Sequence, residues 1–531
     1  MKKLLAMLLA VVMVLSMTAC VTEGGEEESR ASVTIPQAVL DAPARVNADF
    51  YPLNTDTELR ILFTEDGLGD TDASRLWEEV TGVKINNLTW TNEQMFTSLI
   101  AGDIPDAIIM PWDFSKEKVY EFGQAGKFLD FSQHLDKMPN LCALIKEYPE
   151  ILEVCGYPNG AMYSLPQVSW SNTYQSNLLY IRTDMMEEMG WDHAPASADE
   201  FLQFIKEAQT KYGSNPEFVA FMPQSKTYMS WTGTNTISST FFPSFGELIE
   251  TKLTLNKDKE VVLGAATEQY RYYLEFMNEI WKSGAFGTEI YTMESTASKA
   301  IIQKGNCAIS IGTSADSSAF SDGVIDVDVM APITSKYQGT KQWMRQPNIN
   351  FRGCVANANA EDLDTLLAFL DSFYAPRSNP LNKEGTVWGY SIVKGVEGVN
   401  WTVNDADKTW EAGAKYTNYY DALYGGIDNR GVNDYIPVSS LKIKGEGTNK
   451  NLIPYEVYVP NLQNKVMLSE DEQMDYADIW ADMEKYISQM HDKFITGAED
   501  IETGWDAYLS QLDKMGLPEI LEMYQDAYDA K

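Results

Sequence analysis

The sequence predicts an α/β fold, on three observations. Between residues 58 and 113 the hydrophobic period switches repeatedly from that of a strand to that of a helix. The same β/α alternation returns later in the chain, with an interruption near 320–355. The 531 residues, 44% hydrophobic and 22% charged, have an ordinary globular composition and provide for two or three domains or two large lobes. Alternation of this kind argues for a mainly parallel sheet covered by helices.

The elements follow in order. Glu58 to Phe63 reads as a strand, and the turn TEDGLG puts Asp66 near its end, as a ligand acid or equally as a turn residue or helix cap. A helix follows, capped by Asp72 or a neighbour, with Trp77 and Val80 inward and Gly82 as its stop. A second strand is expected over 83–90. Thr91 with Gln94 then makes a capping box for a helix that buries Met95, Phe96, Leu99 and Ile100. Gly102 and Pro105 turn the chain into a buried strand at 107–110, and Trp112-Asp113 sits just past its carboxyl end. Open α/β sheets place ligands there. An indole beside a carboxylate suits a sugar, by stacking on the apolar face and accepting from hydroxyls; a half-buried turn tryptophan is the alternative. Helices are expected at 116–124 and 138–146, a strand at 178–182, a helix from Asp184, and a capping box at Ser197 with Glu200.

The formal net charge of −36 weighs against nucleic acid and anionic lipid as partners, although most of the acid serves solubility. The three histidines (His134, His193, His491) lie far apart, and no HExxH, CxxC or GxSxG motif occurs. The 77 acidic residues leave calcium open, but no EF-hand loop is present; neither a metal nor a cofactor is expected. Residues 1–20 read as a secretion signal, with Lys2-Lys3, an apolar run from Leu4 to Val14, and Met17-Thr18-Ala19-Cys20. That last stretch resembles a bacterial lipobox with Met17 in place of the usual leucine, so Cys20 is the expected lipidation site and the membrane is reached through this anchor alone. Residues 21–55 read as a flexible tether. Export permits disulfides among Cys142, Cys155, Cys307 and Cys354; a Cys142–Cys155 pair and free thiols both stay open.

GDIPD, then YSLPQ and LLYIRTDMMEEMGWDHAPASADEFLQFIKEAQ, resembles the family 1 extracellular solute-binding proteins of carbohydrate ABC transporters. Further stretches agree in order and spacing: YRYYLEFMNEIWKSGAF at 270–286, KAIIQKGNCAISIG at 299–312, CVANANAEDLDTLLAFLDSFYAP at 354–376, and the closing segment at 493–529, similar to the large, roughly 500-residue lipoproteins of the family. The resemblance implies a type II periplasmic-binding-protein fold, two α/β lobes that close on ligand in an interdomain cleft. Lobe one would hold 56–166 and 354–455, and lobe two 167–353 and 456–531, with crossings near 166–178, 348–355 and 455–466.

The implied function is a monomeric, lipid-anchored receptor on the outer face of the cytoplasmic membrane, extracellular or periplasmic. It would capture a carbohydrate, an oligosaccharide, and deliver it to ABC permease subunits, with no catalysis. By motif position, Trp112, Asp113, Tyr174 and Gln175 fall where the family often contacts sugar. Loop position adds Trp170, Tyr228, Trp231, Trp343 and Arg345, together with Trp388 and Tyr390. Each has a plainer alternative: a loop tryptophan more often packs than stacks, and Arg345 could be a solvated charge or an ion-pair partner. Two other functions stay open, a secreted glycan-active hydrolase with paired carboxylates and a peptide-binding receptor.

Overall fold

In the computed structural model the alternation becomes two sheets, each with its own hydrophobic core. The structure describes residues 34–530 except 46, 64–71, 110–112, 169–176, 234–235, 288, 313–324, 346–348, 377, 390–397, 399–400, 405, 407–408, 413–435, 438–447, 459–461 and 463–465. The five-stranded sheet runs Lys84–Leu88, Glu58–Phe63, Ala107–Ile109, Ile349–Ala356, Leu165–Val168. Its first three strands are parallel, and Ile349–Ala356 is antiparallel to both neighbours. The four-stranded sheet runs Val327–Val329, Leu178–Arg182, Cys307–Gly312, Val219–Pro223, and only its last pair is parallel. The sheets are therefore mixed, where local alternation suggested mainly parallel ones. A strand arriving from the other lobe enters a sheet against the direction of the local β/α units, so it runs reversed.

The first core draws on residues 39–168 and 349–410, the second on 178–343 and 452–524. Residues 349–353 and 167–168, which the sequence-based boundaries assigned to lobe two, lie in the first sheet. Beyond Asn350 the register between Ile349–Ala356 and Leu165–Val168 shifts at a bulge that ends at Cys354. Gly353 makes the close approach there possible, since a Cβ on it would stand 2.3 Å from the Pro166 carbonyl oxygen. Where the chain passes between lobes, Trp343–Arg345 pairs in parallel with Glu456–Tyr458, and Met344 and Val457 pack with Ile249.

Local chemistry explains the element ends. Thr91 Oγ1 accepts from the Gln94 backbone N–H and Gln94 Oε1 accepts from that of Thr91, closing the capping box at Asn92–Ala101. Gly102 ends that helix at φ 90°, a left-handed position natural to glycine. Met95 and Leu99 are buried, but Ile100 is 72% exposed, so the apolar face is narrower than the sequence suggested. At Ala198–Tyr212 Ser197 caps the Glu200 N–H, while the Glu200 carboxylate accepts from Ala196 rather than from the cap residue. Trp77 on Asp72–Thr81 stacks near Phe373 and donates to Ser372 Oγ, which ties that helix to the helix Leu363–Ser372.

The expected tether ends earlier than residue 55. Two short helices, Gln37–Asp41 and Asn47–Phe50, dock on lobe one. Val39, Asn47 and Tyr51 are buried, and the Tyr51 hydroxyl donates to the Ala368 carbonyl. Arg45 reaches the fully buried Asp371 at 3.5 Å, and Asp371 also accepts from the backbone N–H groups of Asn140 and Leu141. Burial pushes the Asp371 carboxyl up to about 6 against the pull of Arg45. Asn47 is bonded to both Asn140 and Asn379. Cys142, Cys155, Cys307 and Cys354 are free and buried, and burial pushes the Cys155 thiol up to about 12, away from reactive thiolate.

Candidate functional site

On lobe one the site begins where Ala107–Ile109 ends. Asp113 lies in an exposed turn between that strand and the helix Lys116–Gln124, whose N-terminus is capped by Ser115 Oγ on the Lys118 N–H. Phe114 anchors the turn, wholly buried among Phe96, Phe122 and Phe128 at ring separations of 5.0 to 6.0 Å. An exposed carboxylate is thus held on a rigid base.

Arg352, which the sequence reading passed over, comes to the same place. It sits half-buried on the bulge of the Ile349–Ala356 strand, and its Nε donates to the Phe114 carbonyl at 3.0 Å. Burial lowers the guanidinium's pKa, and the nearby carboxylates of Glu117 and Asp113 oppose that effect. Lys116 is buried beneath, its ammonium donating to the Glu153 carbonyl at 3.3 Å. Desolvation lowers its pKa as well.

From lobe two, the long helix Glu470–Thr496 and the last helix, Leu517–Asp529, bring aromatic rings within electrostatic reach of Glu117. Tyr476 stacks on Trp480 at 5.6 Å and meets Tyr524 edge-on at 5.3 Å. Burial, followed by the negative charge of Glu117, pushes the Tyr524 hydroxyl up to about 12. Burial also raises Tyr476, with Glu117 among the smaller contributors, so this lobe-one carboxylate lies within electrostatic reach of both lobe-two hydroxyls. The sequence signal for this side was an aromatic pair four residues apart in an acidic helix, a spacing that a packed helix face also produces.

The residues singled out by sequence divide into three groups. Asp66, Trp112, Trp170, Tyr174, Gln175 and Tyr390 lie outside the described residues. Asp113 is exposed beside Arg352, and Arg345 ends the Trp343–Arg345 strand at the lobe junction. The remaining aromatics pack instead of presenting a face. Trp231 is 2% exposed, 6.5 Å from Trp480, and its carbonyl accepts from Thr251 Oγ1. Tyr228 is buried in the same core. Trp343 is 5% exposed and donates through Nε1 to the Asn177 carbonyl, while Trp388 is buried 6.5 Å from Trp401. Loop composition rich in Ser, Thr and Gly suggested open rings at 224–239, but a short 3-10 turn, Lys226–Met229, folds that segment back onto the core. Among the described residues, no group of His, Cys, Asp and Glu is gathered as a metal site, and no helix is long and apolar enough to cross a membrane.

Two α/β lobes joined by paired crossing strands, with chemistry gathered at the strand ends where they meet, define a solute-binding architecture. Residues 60–380 match the bacterial extracellular solute-binding protein family, and the chain belongs to it. The chain is 22% identical over 510 residues to the fructooligosaccharide ABC transporter substrate-binding protein FusA of Streptococcus pneumoniae serotype 4, covering 90% of this chain and 91% of that one. The solved structure of an EF-hand mutant of S. pneumoniae FusA in complex with fructo-nystose superposes with a TM-score of 0.68 at 19% identity, covering 89% of this chain and 99% of that one. An HMO-binding, ABC-transporter-associated solute-binding protein from Bifidobacterium longum infantis gives 0.68 at 18% identity, with 89% and 98% covered. At these identities the superpositions speak for the fold.

Proposed function

We propose that this protein is a receptor that captures an oligosaccharide between its two lobes and delivers it to an ABC permease. The observation that carries the reading is the similarity to a fructooligosaccharide receptor along nine-tenths of the chain, spanning both lobes and the crossings. The exposed Asp113 carboxylate beside an arginine, with the nearby Glu117 within electrostatic reach of Tyr476 and Tyr524 of the other lobe, supports it, because sugar hydroxyls need donors and acceptors set near aromatic surface. Trp112, Trp170, Tyr174 and Gln175 are proposed as further contacts of that site, with Asp66 and Arg345 at its edges. Trp231, Tyr228 and Trp343 are proposed as its packed support. The mechanism is capture and closure without covalent chemistry. Lipidation at Cys20 would hold the receptor at the outer face of the membrane.

The test is thermal unfolding of the purified protein against a panel of oligosaccharides, monosaccharides and peptides. A ligand at about 100 times its Kd adds roughly 2.7 kcal/mol to stability. An upward shift with one oligosaccharide class, the sugar recovered uncleaved, is the expected result. A shift with peptides alone, or steady loss of the sugar, would overturn the reading.

A further inference from the structure

We propose that Arg352 and Asp113 act together as a donor–acceptor pair for a vicinal diol, and that they select uncharged over acidic sugars. This inference rests on the oligosaccharide reading above and names the ligand class of the same site. Arg352 is placed by two constraints. The bulge lifts it out of strand register, and its Nε is committed to the Phe114 carbonyl, one residue from Asp113. Among the described residues its two Nη groups take part in no hydrogen bond, and the proposal gives their donors to the ligand. Asp113, exposed on a turn pinned by the buried Phe114, supplies acceptors only. A guanidinium fork fits either a carboxylate or two adjacent hydroxyls.

The surrounding charge decides between them. Asp113 and Glu117 both lie near the guanidinium, so one cation already faces two anions. Lys116, three residues along from Asp113, is buried with its ammonium donating to the Glu153 carbonyl. An incoming uronate would meet a net negative site on a chain whose formal charge is −36. A neutral diol meets both a donor and an acceptor, and its two hydroxyls can donate to Asp113 while accepting from Arg352.

Isothermal titration of the purified protein would compare neutral oligosaccharides with oligouronates of equal length, in wild type, Asp113→Asn, Arg352→Gln and the double variant. The expected result is neutral binding at least tenfold tighter than uronate binding, and at least tenfold weaker neutral binding in each single variant. The double variant should lose less than the product of the two, because both residues hold one diol. Asp113→Asn, on an exposed turn, should keep the wild-type unfolding temperature, so the test survives if Arg352→Gln loosens the Phe114 contact. Wild-type affinity in Asp113→Asn or in a folded Arg352→Gln would overturn the pair while leaving the receptor reading intact. Preference for uronates would do the same. Absence of binding to any sugar would remove the receptor reading and this inference with it.

Discussion

His491 offers a direct test of how the second lobe is held together. It is 2% exposed on the helix Glu470–Thr496, and its Nδ1 lies 2.7 Å from the Tyr270 hydroxyl. Its ring stacks near both Tyr270 and Tyr273, and the Met229 carbonyl faces it as a backbone partner. Burial drives its pKa down to about 3, so the folded protein keeps the imidazole neutral. The unfolded chain takes up the proton near pH 6.5. Stability from this group is therefore fully present above pH 6.5 and drains away as pH falls, by about 1.4 kcal/mol per unit until the folded pKa is reached. Between pH 7.5 and 4.5 the loss amounts to about 2.7 kcal/mol. In His491→Gln the proton uptake is gone. The variant should be about 1–3 kcal/mol less stable at pH 7.5 from the disturbed bond to Tyr270, and the gap should close or invert by pH 4.5. Urea unfolding of both proteins at half-unit pH steps measures it. The neighbouring Asp492, whose carboxyl burial pushes up to about 6, titrates in both proteins and drops out of the difference. A gap independent of pH would refute the buried neutral imidazole.

Three further outcomes follow from the same structure. Asp371 behaves in the opposite sense: with its carboxyl raised to about 6, its contribution is complete below about pH 3.8 and lost as pH rises through 6. Wild type should lose about 2 kcal/mol relative to Asp371→Asn between pH 4.5 and 7.5, read from the same denaturation series. Gly353→Ala should cost about 1–3 kcal/mol in heat or urea unfolding, because its Cβ would overlap the Pro166 carbonyl. Gly339→Ala, with nothing within 4 Å, is the neutral control. Trp231→Ala should cost about 3–5 kcal/mol as a core deletion; unchanged stability with lost sugar affinity would instead make that ring a binding surface.

The parts of the fold legible in the sequence are those set by neighbours along the chain. The 58–63 strand, the Thr91 capping box, the Gly102 stop and the helix at 116–124 rest on local spacing and backbone chemistry. Strand direction was not legible, because it depends on which lobe a strand arrives from. The docked segment at 37–50 was not legible either. Its composition reads as linker, and the residues that hold Arg45 and Asn47 include Asp371 and Asn379, more than 300 residues away. At the candidate site, the exposed turn that carries Asp113 was legible as a turn after a buried strand. Arg352 was not, since a single arginine inside NFRGCVA looks like one outward strand position until the bulge is seen. Trp231 was weighed as a loop ring, yet the helix that covers it begins more than 230 residues later.

The clasp that seats Arg45, Asn47 and Tyr51 on lobe one also decides where a leash would pull. With the proposed lipid at Cys20, only the thirteen residues 21–33 lie between the membrane and the described body. Fully stretched they span about 45 Å. Lobe one, which carries Asp113 and Arg352, would thus be the moored half, and lobe two the half free to swing. Mooring at so short a range would confine the receptor to a thin layer over the bilayer. Its encounters with a permease would then become a search across a surface, and a modest docking affinity would suffice because the leash would set the effective concentration.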